Sequence, residues 1–318
     1  MKVLANDGIS QQGIDALEAA GYTVLTDKIE QDNLIQEINA QNIEVLLVRS
    51  ATTVRKEVFD ACPGLKFVGR GGVGMDNIDV QYGRDNGRIV ANTPAASSQS
   101  VAELVMGQMF SISRSLHDSA KNMATGDFKT LKKKYGKGVE LRGKTLAIVG
   151  FGRIGQSLAG YALGAGMNVE AVDMITDPRT IDVQLGNGLT ASAEITPKAN
   201  VSDVLASADF ISLHVPKQAD GSAVFGAAEF AQMKDGVRIV NAARGGVVDE
   251  DALIDALSSG KVASIALDVF ENEPNPRQDL LEHELIAATP HIGAATVEAQ
   301  ARIGTELAET IIANFGTF

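Results

Sequence analysis

Residues 143–155 read Gly-Lys-Thr-Leu-Ala-Ile-Val-Gly-Phe-Gly-Arg-Ile-Gly, an apolar run that ends in three closely spaced glycines. The run Leu146–Val149 is typical of a buried strand, and the glycines form a G-x-G-x-x-G turn that opens a helix. Gly150 permits the tight turn, Gly152 lets a pyrophosphate approach the backbone, and Gly155 lets the helix pack against the strand. The stretch therefore predicts a dinucleotide-binding unit whose helix N-terminus faces the phosphates.

An acidic residue stands where such a unit needs one. The next apolar strand, Asn168–Asp173, ends in a carboxylate at about the distance from the glycines at which a ribose diol is bound. No Arg or Lys follows in residues 174–177, so nothing there would neutralise a 2′-phosphate. If Asp173 binds the ribose, it therefore favours NAD over NADP. The alternative is that Asp173 is a solvated residue at the end of a strand.

The composition limits the class of protein. The chain has 318 residues, of which 45% are hydrophobic and 21% charged, so it is long enough for two globular domains. A net charge of −12 argues against a nucleic-acid partner. The single Cys62 excludes an internal disulfide and indicates a reducing compartment. No secretory signal or membrane-spanning run is recognisable, so we expect a cytoplasmic protein with no membrane partner and no metal site.

Strand and helix signals alternate along the whole chain, which predicts an α/β fold of two doubly wound parallel-sheet domains. In the first part the predicted strands are Val3–Asn6, Thr23–Leu25, Glu44–Val48, Lys66–Gly69 and Ile89–Asn92. In the second part they are Leu146–Val149, Asn168–Asp173, Phe210–His214, Arg238–Asn241, Ser264–Leu267 and Ile286–Thr289.

The order of these segments predicts that one domain is inserted in the other. A proline-containing linker at 92–100 is followed by a long helix over Val101–Met123, and a final helix runs over Val297–Asn314. We expect residues 1–98 and 291–318 to form a flavodoxin-like substrate domain and residues 99–290 a Rossmann NAD-binding domain. The apolar stripe of the long helix predicts a homodimer through the 101–124 region.

Two loops in the first domain follow strand ends, where ligands of such sheets bind. We predict that they contact an anionic substrate through Arg49, Ser50, Arg70, Gly71, Gly72, Val73 and Gly74, with the glycine amides forming an anion nest. The alternatives are that the two arginines are ordinary surface charges and that the glycines only permit a tight, strained connection. Five lysines lie between positions 129 and 137. Either all of them are solvated, or one of them contacts a phosphorylated substrate.

Three chemically distinct side chains follow three strand ends in the second part. His291 lies in Thr-Pro-His-Ile-Gly after the last strand and is suited to exchange an alcohol proton. Arg244 is suited to hold a carboxylate, and Glu273 to hold the imidazole. His214, with Val215, lies at the expected cofactor edge and is predicted to assist binding without catalysing. Because these strand ends share one edge of a sheet, we expect the Arg, Glu and His to meet.

These segments together resemble the D-isomer-specific 2-hydroxyacid dehydrogenase family over the whole chain, and its short D-3-phosphoglycerate dehydrogenases in particular. The resemblance is carried by the glycine turn and by the segments at 69–79, 240–249, 268–274 and 289–296. It implies that Arg244 binds substrate, that His291 is the acid/base and that Glu273 is its partner. It also implies NAD contacts at Arg153, Ile154, Asp173, Ala242, Ala243, Asp268, Gly293 and Ala294.

The resemblance implies NAD-dependent oxidation of D-3-phosphoglycerate to 3-phosphohydroxypyruvate, a step of serine biosynthesis. Two alternatives stay open: a glyoxylate or hydroxypyruvate reductase, or another dehydrogenase of D-2-hydroxy acids, and an NAD-sensing scaffold or corepressor on the same fold. Because only 27 residues follow His291, we expect the serine-sensing C-terminal domain of longer family members to be absent.

Overall fold

The computed structural model describes all residues 1–318. Its strands, in chain order, are β1 (Lys2–Ala5), β2 (Thr23–Leu25), β3 (Val45–Val48), β4 (Phe67–Arg70), β5 (Ile89–Asn92), β6 (Thr145–Val149), β7 (Asn168–Val172), β8 (Arg179–Gly186), β9 (Leu189–Ile195), β10 (Phe210–Leu213), β11 (Val237–Asn241), β12 (Val262–Leu267) and β13 (Ile286–Ala288). All eleven predicted strands are confirmed.

The helices lie between these strands. They are α1 (Gln11–Ala19), α2 (Leu34–Ala40), α3 (Lys56–Ala61), α4 (Val80–Asp85), α5 (Ser98–Arg114), α6 (Leu116–Asn122), α7 (Phe128–Lys134), α8 (Arg153–Gly164), α9 (Ser202–Leu205), α10 (Ala227–Gln232), α11 (Glu250–Ser258), α12 (Gln278–Glu282) and α13 (Val297–Phe315). Short 3₁₀ turns occupy residues 31–33 and 135–137.

The chain divides into two compact units, residues 1–98 with 294–318 and residues 99–293. The second boundary lies three residues after the predicted one, because residues 291–293 belong with the second unit. No helix of the chain combines the length and the apolar character that crossing a bilayer requires.

The first unit contains a five-stranded parallel sheet in the order β2-β1-β3-β4-β5, the flavodoxin-like order. Its central strands are continuous apolar runs; all four residues of β3 are buried. Such runs are expected where helices cover both faces of a parallel sheet. The carboxyl ends of β3 and β4 carry Arg49 and Arg70.

The second unit contains a six-stranded parallel sheet in the order β13-β12-β11-β10-β6-β7. The glycine turn follows the inner strand β6, and β10 and β7 lie on its two sides. The carboxyl ends of β11, β12 and β13 lead into the segments of Arg244, Glu273 and His291. One sheet edge thus carries both the glycine turn and the three candidate catalytic residues.

Two features of the second unit differ from the prediction. The long helix over 101–123 is wrong as a single element, because Ser115 adopts a left-handed backbone (φ 51°) that separates α5 from α6. The antiparallel hairpin β8–β9 was not predicted. Its signal was nevertheless present, since Ile181, Val183 and Leu185 alternate with polar residues before a Gly-Asn-Gly turn.

Candidate active site

The glycine turn is shaped to admit a dinucleotide. Gly150 has φ +94°, and a Cβ there would lie 2.7 Å from the carbonyl oxygen of His214, so the close approach of the two strand ends requires glycine. In front of Gly152 there is open space, and no side chain caps the N-terminus of α8. The carboxylate of Asp173 accepts hydrogen bonds from the amides of Phe151 (2.6 Å) and Ile175 (3.1 Å). The turn therefore leaves free helix N–H groups beside a positioned carboxylate.

His214 lies against this turn as a neutral imidazole. Its Nε2 is 2.9 Å from Ser212 Oγ, and its Nδ1 is sealed from solvent without a partner. Burial lowers the pKa of His214 to about 4, although part of the residue is exposed. A neutral ring cannot form an ion pair with a phosphate, which restricts its predicted cofactor role to uncharged contacts.

Asn241 shapes the loop of Arg244. This buried residue ends β11; its Oδ1 accepts from the amide of Ala243 (3.1 Å) and its Nδ2 donates to the carbonyl of Arg244 (3.0 Å). Arg244 is half-buried, and its Nη1 donates to the carbonyl of Ala243 (2.6 Å). Asn241 was missed in the sequence, although its place at a strand end was the available signal.

Glu273 and His291 form the hydrogen-bonded pair that the sequence predicts. His291 Nδ1 lies 2.8 Å from Glu273 Oε2, and Glu273 Oε1 accepts from the amide of Phe270 (3.0 Å). His291 has a left-handed backbone (φ 54°), which is uncommon for a residue with a side chain. Because Glu273 binds Nδ1, it leaves Nε2 for exchange with a ligand.

The Arg244 loop and the Glu273 loop touch backbone to backbone. A Cβ on Gly245 would lie 1.8 Å from the carbonyl oxygen of Phe270, so only glycine permits this contact. Burial alone would raise the pKa of Glu273, but hydrogen bonds from His291 and Phe270 and the charges of His291 and Arg244 outweigh it and lower that pKa. Glu273 is therefore ionised at neutral pH and belongs to one electrostatic group with Arg244 and His291.

Asp268 holds the histidine loop. It is 1% exposed, its Oδ1 accepts from Thr289 Oγ1 (2.6 Å) and the amide of Ile292 (2.9 Å), and its Oδ2 accepts from the amide of Gly293 (2.9 Å). These bonds place Asp268 in a supporting role that the sequence did not suggest, whether or not it also contacts a cofactor.

An apolar cavity of about 380 Å³ borders the Glu273–His291 pair. Its other lining residues are Phe270, Pro274, Pro276, Leu281, Ala288, Thr289 and Pro290. Apolar walls lower the local dielectric constant and so strengthen the interactions of the charged groups beside them.

In the first unit, two side chains hold the predicted substrate loops. Asp7 accepts hydrogen bonds from the amides of Arg49 (2.7 Å) and Thr52 (3.0 Å). The Asn77 amide donates to the carbonyls of the same two residues (2.7 and 2.6 Å), while its Oδ1 accepts from Arg70 Nε (2.9 Å). Asn77 therefore joins the Arg49 loop to Arg70, a link that the sequence analysis missed.

The predicted anion nest is smaller in the structure. The amide of Gly71 donates to the carbonyl of Val48 (2.9 Å) and that of Gly72 to Thr93 Oγ1 (2.9 Å), so neither is available to a ligand. The prediction for these two amides is wrong, because β3 and the chain after β5 supply acceptors that the local sequence does not reveal. The backbone N–H groups of Val73 and Gly74 have no acceptor within the protein and are available to a ligand.

The other predicted cofactor-binding residues differ in how accessible they are to a ligand. Ala243 is 8% exposed and packs in the hydrophobic core, whereas Arg153 is exposed and Ile154, Val215 and Ala242 are partly buried. Gly293 uses its carbonyl to accept from Ser100 Oγ (2.7 Å), and Ala294 accepts from Gln300. Ser50, in the first predicted substrate loop, is exposed.

Among the five lysines between positions 129 and 137, Lys134 forms ion pairs with Asp118 (2.7 Å) and Glu284 (2.8 Å).

A sequence comparison decides the family. The profile described as "D-isomer specific 2-hydroxyacid dehydrogenase, NAD binding domain" matches residues 106–293, more than half of the chain. The chain belongs to the D-isomer specific 2-hydroxyacid dehydrogenases. It is therefore an NAD-dependent dehydrogenase of two parallel-sheet α/β units.

Relatives of this dehydrogenase carry three different names. Hydroxypyruvate reductase of Thermotoga maritima is 40% identical over 99% of this chain and 98% of its own length. D-3-phosphoglycerate dehydrogenase of Methanocaldococcus jannaschii is 39% identical over 98% of this chain but only 57% of its own length. The solved structure of a glyoxylate reductase from Paecilomyes thermophila is 28% identical with a TM-score of 0.84, covering 100% of this chain and 96% of that one.

The residues of the dehydrogenase fit NAD. The uncapped α8 N-terminus and the open space at Gly152 suit a pyrophosphate, and the Asp173 carboxylate suits a ribose diol and would repel a 2′-phosphate. Bound NAD supplies a hydride acceptor.

Proposed function

We propose that the protein oxidises D-3-phosphoglycerate to 3-phosphohydroxypyruvate with NAD, in the cytoplasm, and catalyses the reverse reduction. The observation that carries this proposal is the Asn77 network, which holds two arginine-bearing strand ends of the first unit together. A substrate with a phosphate as well as a carboxylate requires more cationic groups than one arginine provides. Arg49 and Arg70 are the proposed phosphate ligands, with Ser50 and the amides of Val73 and Gly74 as additional donors.

The reaction requires one proton transfer by the protein. In the proposed mechanism Nε2 of His291 takes the hydroxyl proton as the hydride leaves C2, and Glu273 stabilises the imidazolium that forms. Arg244 holds the carboxylate of the substrate and, in the reverse direction, stabilises the negative charge that develops on the carbonyl oxygen. The hydrogen bond at Nδ1 supports this division of roles, because it leaves Nε2 as the atom that faces the substrate.

A second candidate has its own support. The near full-length match with the T. maritima hydroxypyruvate reductase favours hydroxypyruvate as the substrate, and the match with the glyoxylate reductase structure favours glyoxylate. The chemistry at His291 is the same for both candidates, and only the phosphate ligands separate them.

Steady-state NADH oxidation with 3-phosphohydroxypyruvate, hydroxypyruvate, glyoxylate and pyruvate separates the candidates. We expect the highest kcat/KM for the phosphorylated acid, and the R70M variant to lose that preference while hydroxypyruvate reduction changes little. Equal or better efficiency with hydroxypyruvate in the unsubstituted protein would refute the phosphoglycerate assignment. The proposed homodimer through residues 101–124 is tested separately, by sedimentation equilibrium.

A further inference from the structure

The second unit contains a polar cavity at the amino ends of β11 and β12, at the sheet edge opposite to Arg244, Glu273 and His291. Its volume is about 80 Å³, whereas one water needs roughly 10–15 Å³. The cavity is therefore large enough for a small polyatomic ligand. Its lining includes Ser113, His117, Lys134, Lys137, Arg238 and Glu284.

Arg238 is the central charged group of this cavity. It is half-buried on β11, its guanidinium carbon lies 5.9 Å from the ring centroid of Phe210, and its Nε is sealed without any partner. Its Nη1 forms one long hydrogen bond, 3.4 Å to the carbonyl of Gly236. The carboxylate whose charge acts on it, Asp209, is already paired with Lys234. A guanidinium in this position lacks the counter-charge that a half-buried cation normally has.

The facing wall of the cavity adds further donors. Lys137, in the 3₁₀ turn at 135–137, is exposed and forms no ion pair, whereas Lys134 is neutralised by Asp118 and Glu284. His117 on α6 donates from Nε2 to the carbonyl of Glu284 (3.0 Å), so its unpartnered Nδ1 is an acceptor and adds no donor for an anion. The charged residues that line the cavity are three cations, Lys134, Lys137 and Arg238, and one anion, Glu284, in a chain whose net charge is −12.

We propose that this cavity binds a small oxyanion of the phosphate or sulfate class between Arg238 and Lys137. The anion supplies the counter-charge that Arg238 lacks. It also bridges β11 to the lysine-bearing segment that follows α7, so it fastens that segment to the sheet. The cavity lies at the opposite end of the parallel strands from the glycine turn, so this site is distinct from the nucleotide site.

The test is calorimetric titration of inorganic phosphate into the NADH-saturated protein, in a buffer free of other oxyanions. The R238M variant keeps an aliphatic side chain over Phe210, and the K137M variant alters an exposed residue that forms no ion pair. For both we expect the phosphate Kd to rise about tenfold or more, the loss expected for a charge-assisted contact. The same variants should lose the increase in melting temperature that phosphate gives the unsubstituted protein.

Two control variants make the test specific. K133M removes an exposed lysine of α7 that does not line the cavity, and R70M removes a proposed ligand of the substrate phosphate; both should leave this Kd unchanged. Phosphate binding that survives in R238M and K137M, or that is lost in R70M alone, would overturn the proposal. So would the absence of binding below about 10 mM phosphate, a concentration at which an affinity of this class is readily detected.

Discussion

The two sheets of this protein carry their charged residues in different ways at the carboxyl ends of their strands. In the second unit, Glu273 contacts His291 directly, and the charges of His291 and Arg244 contribute to its lowered pKa. In the first unit, the uncharged Asn77 connects the Arg49 loop to Arg70, and Asp7 binds loop amides. The arrangement in the second unit lowers the pKa of Glu273, whereas the arrangement in the first unit fixes the positions of the Arg49 loop and Arg70.

This difference indicates a division of labour between the units. Proton transfer needs a base whose charged form is stabilised by a neighbour, which is the arrangement found in the second unit. Recognition of an anion needs cations held in position, and in the first unit Asp7 and Asn77 hold the loops that bear Arg49 and Arg70. Substitutions in the two units should therefore affect different kinetic constants.

The largest expected effect is at His291. The H291A variant removes the proposed acid/base, so kcat should fall by about 10²- to 10⁴-fold, while the NADH Kd measured by fluorescence changes less than about twofold. H283A, at a histidine before β13, serves as the matched control. Near-normal turnover in H291A would place the proton transfer elsewhere.

Replacing Glu273 should have the next largest effect. E273Q keeps a hydrogen-bond acceptor but removes the charge that stabilises the imidazolium, so kcat for reduction should fall roughly 10- to 100-fold. Steady-state reduction at saturating keto acid measures kcat. The neighbouring exposed E271Q variant should keep the kcat of the unsubstituted enzyme, and an unchanged kcat in E273Q would contradict the proposed pair.

Loss of Asn77 tests the first unit. N77A releases the Arg49 loop and Arg70 together, so KM for the preferred keto acid should rise about tenfold with kcat retained within about threefold. The control is N86A, whose side chain is exposed and donates to the carbonyl of Tyr82 in α4. A fall in kcat at unchanged KM would remove the distinction between the two units.

The smallest expected effect concerns stability in acid. Because the pKa of His214 lies at about 4 in the folded protein and near 6.5 when unfolded, the unfolded chain binds more protons between these values, and stability falls as pH drops through this window. The loss from pH 7 to pH 5 is on the order of 2 kcal/mol. H214Q should therefore lose less in melting temperature than the unsubstituted protein over this range. Equal losses would show that His214 does not carry the acid sensitivity.

The sequence predicted those parts of the fold that depend on short-range patterns. Apolar runs located the eleven parallel strands, and the glycines located the turn at Gly150. The strand-end rule brought Glu273 and His291 together because parallel strands share an edge. The Ser115 break was not predictable from composition, since neither Gly nor Pro marks it.

Features that depend on distant partners were beyond the sequence. The amides of Gly71 and Gly72 have acceptors on Val48 and Thr93, and only the folded sheet brings these together. Asp268 had a polar strand-end signal, but its three hydrogen bonds to the histidine loop depend on the crossing from β12 to β13. Local pattern thus indicated which residues matter, and tertiary contacts determined what each one does.

The absence of a side chain at Gly245 has a consequence for altering substrate range. Main-chain atoms set the spacing between the guanidinium loop and the glutamate loop, so mutagenesis libraries directed at residues 244–246 or 270–273 should yield mostly inactive clones. The loops after β3 and β4 are held by the side chains of Asp7 and Asn77, which substitution can change without moving a strand. Laboratory evolution toward a new 2-hydroxy acid should therefore accumulate its changes in those loops first.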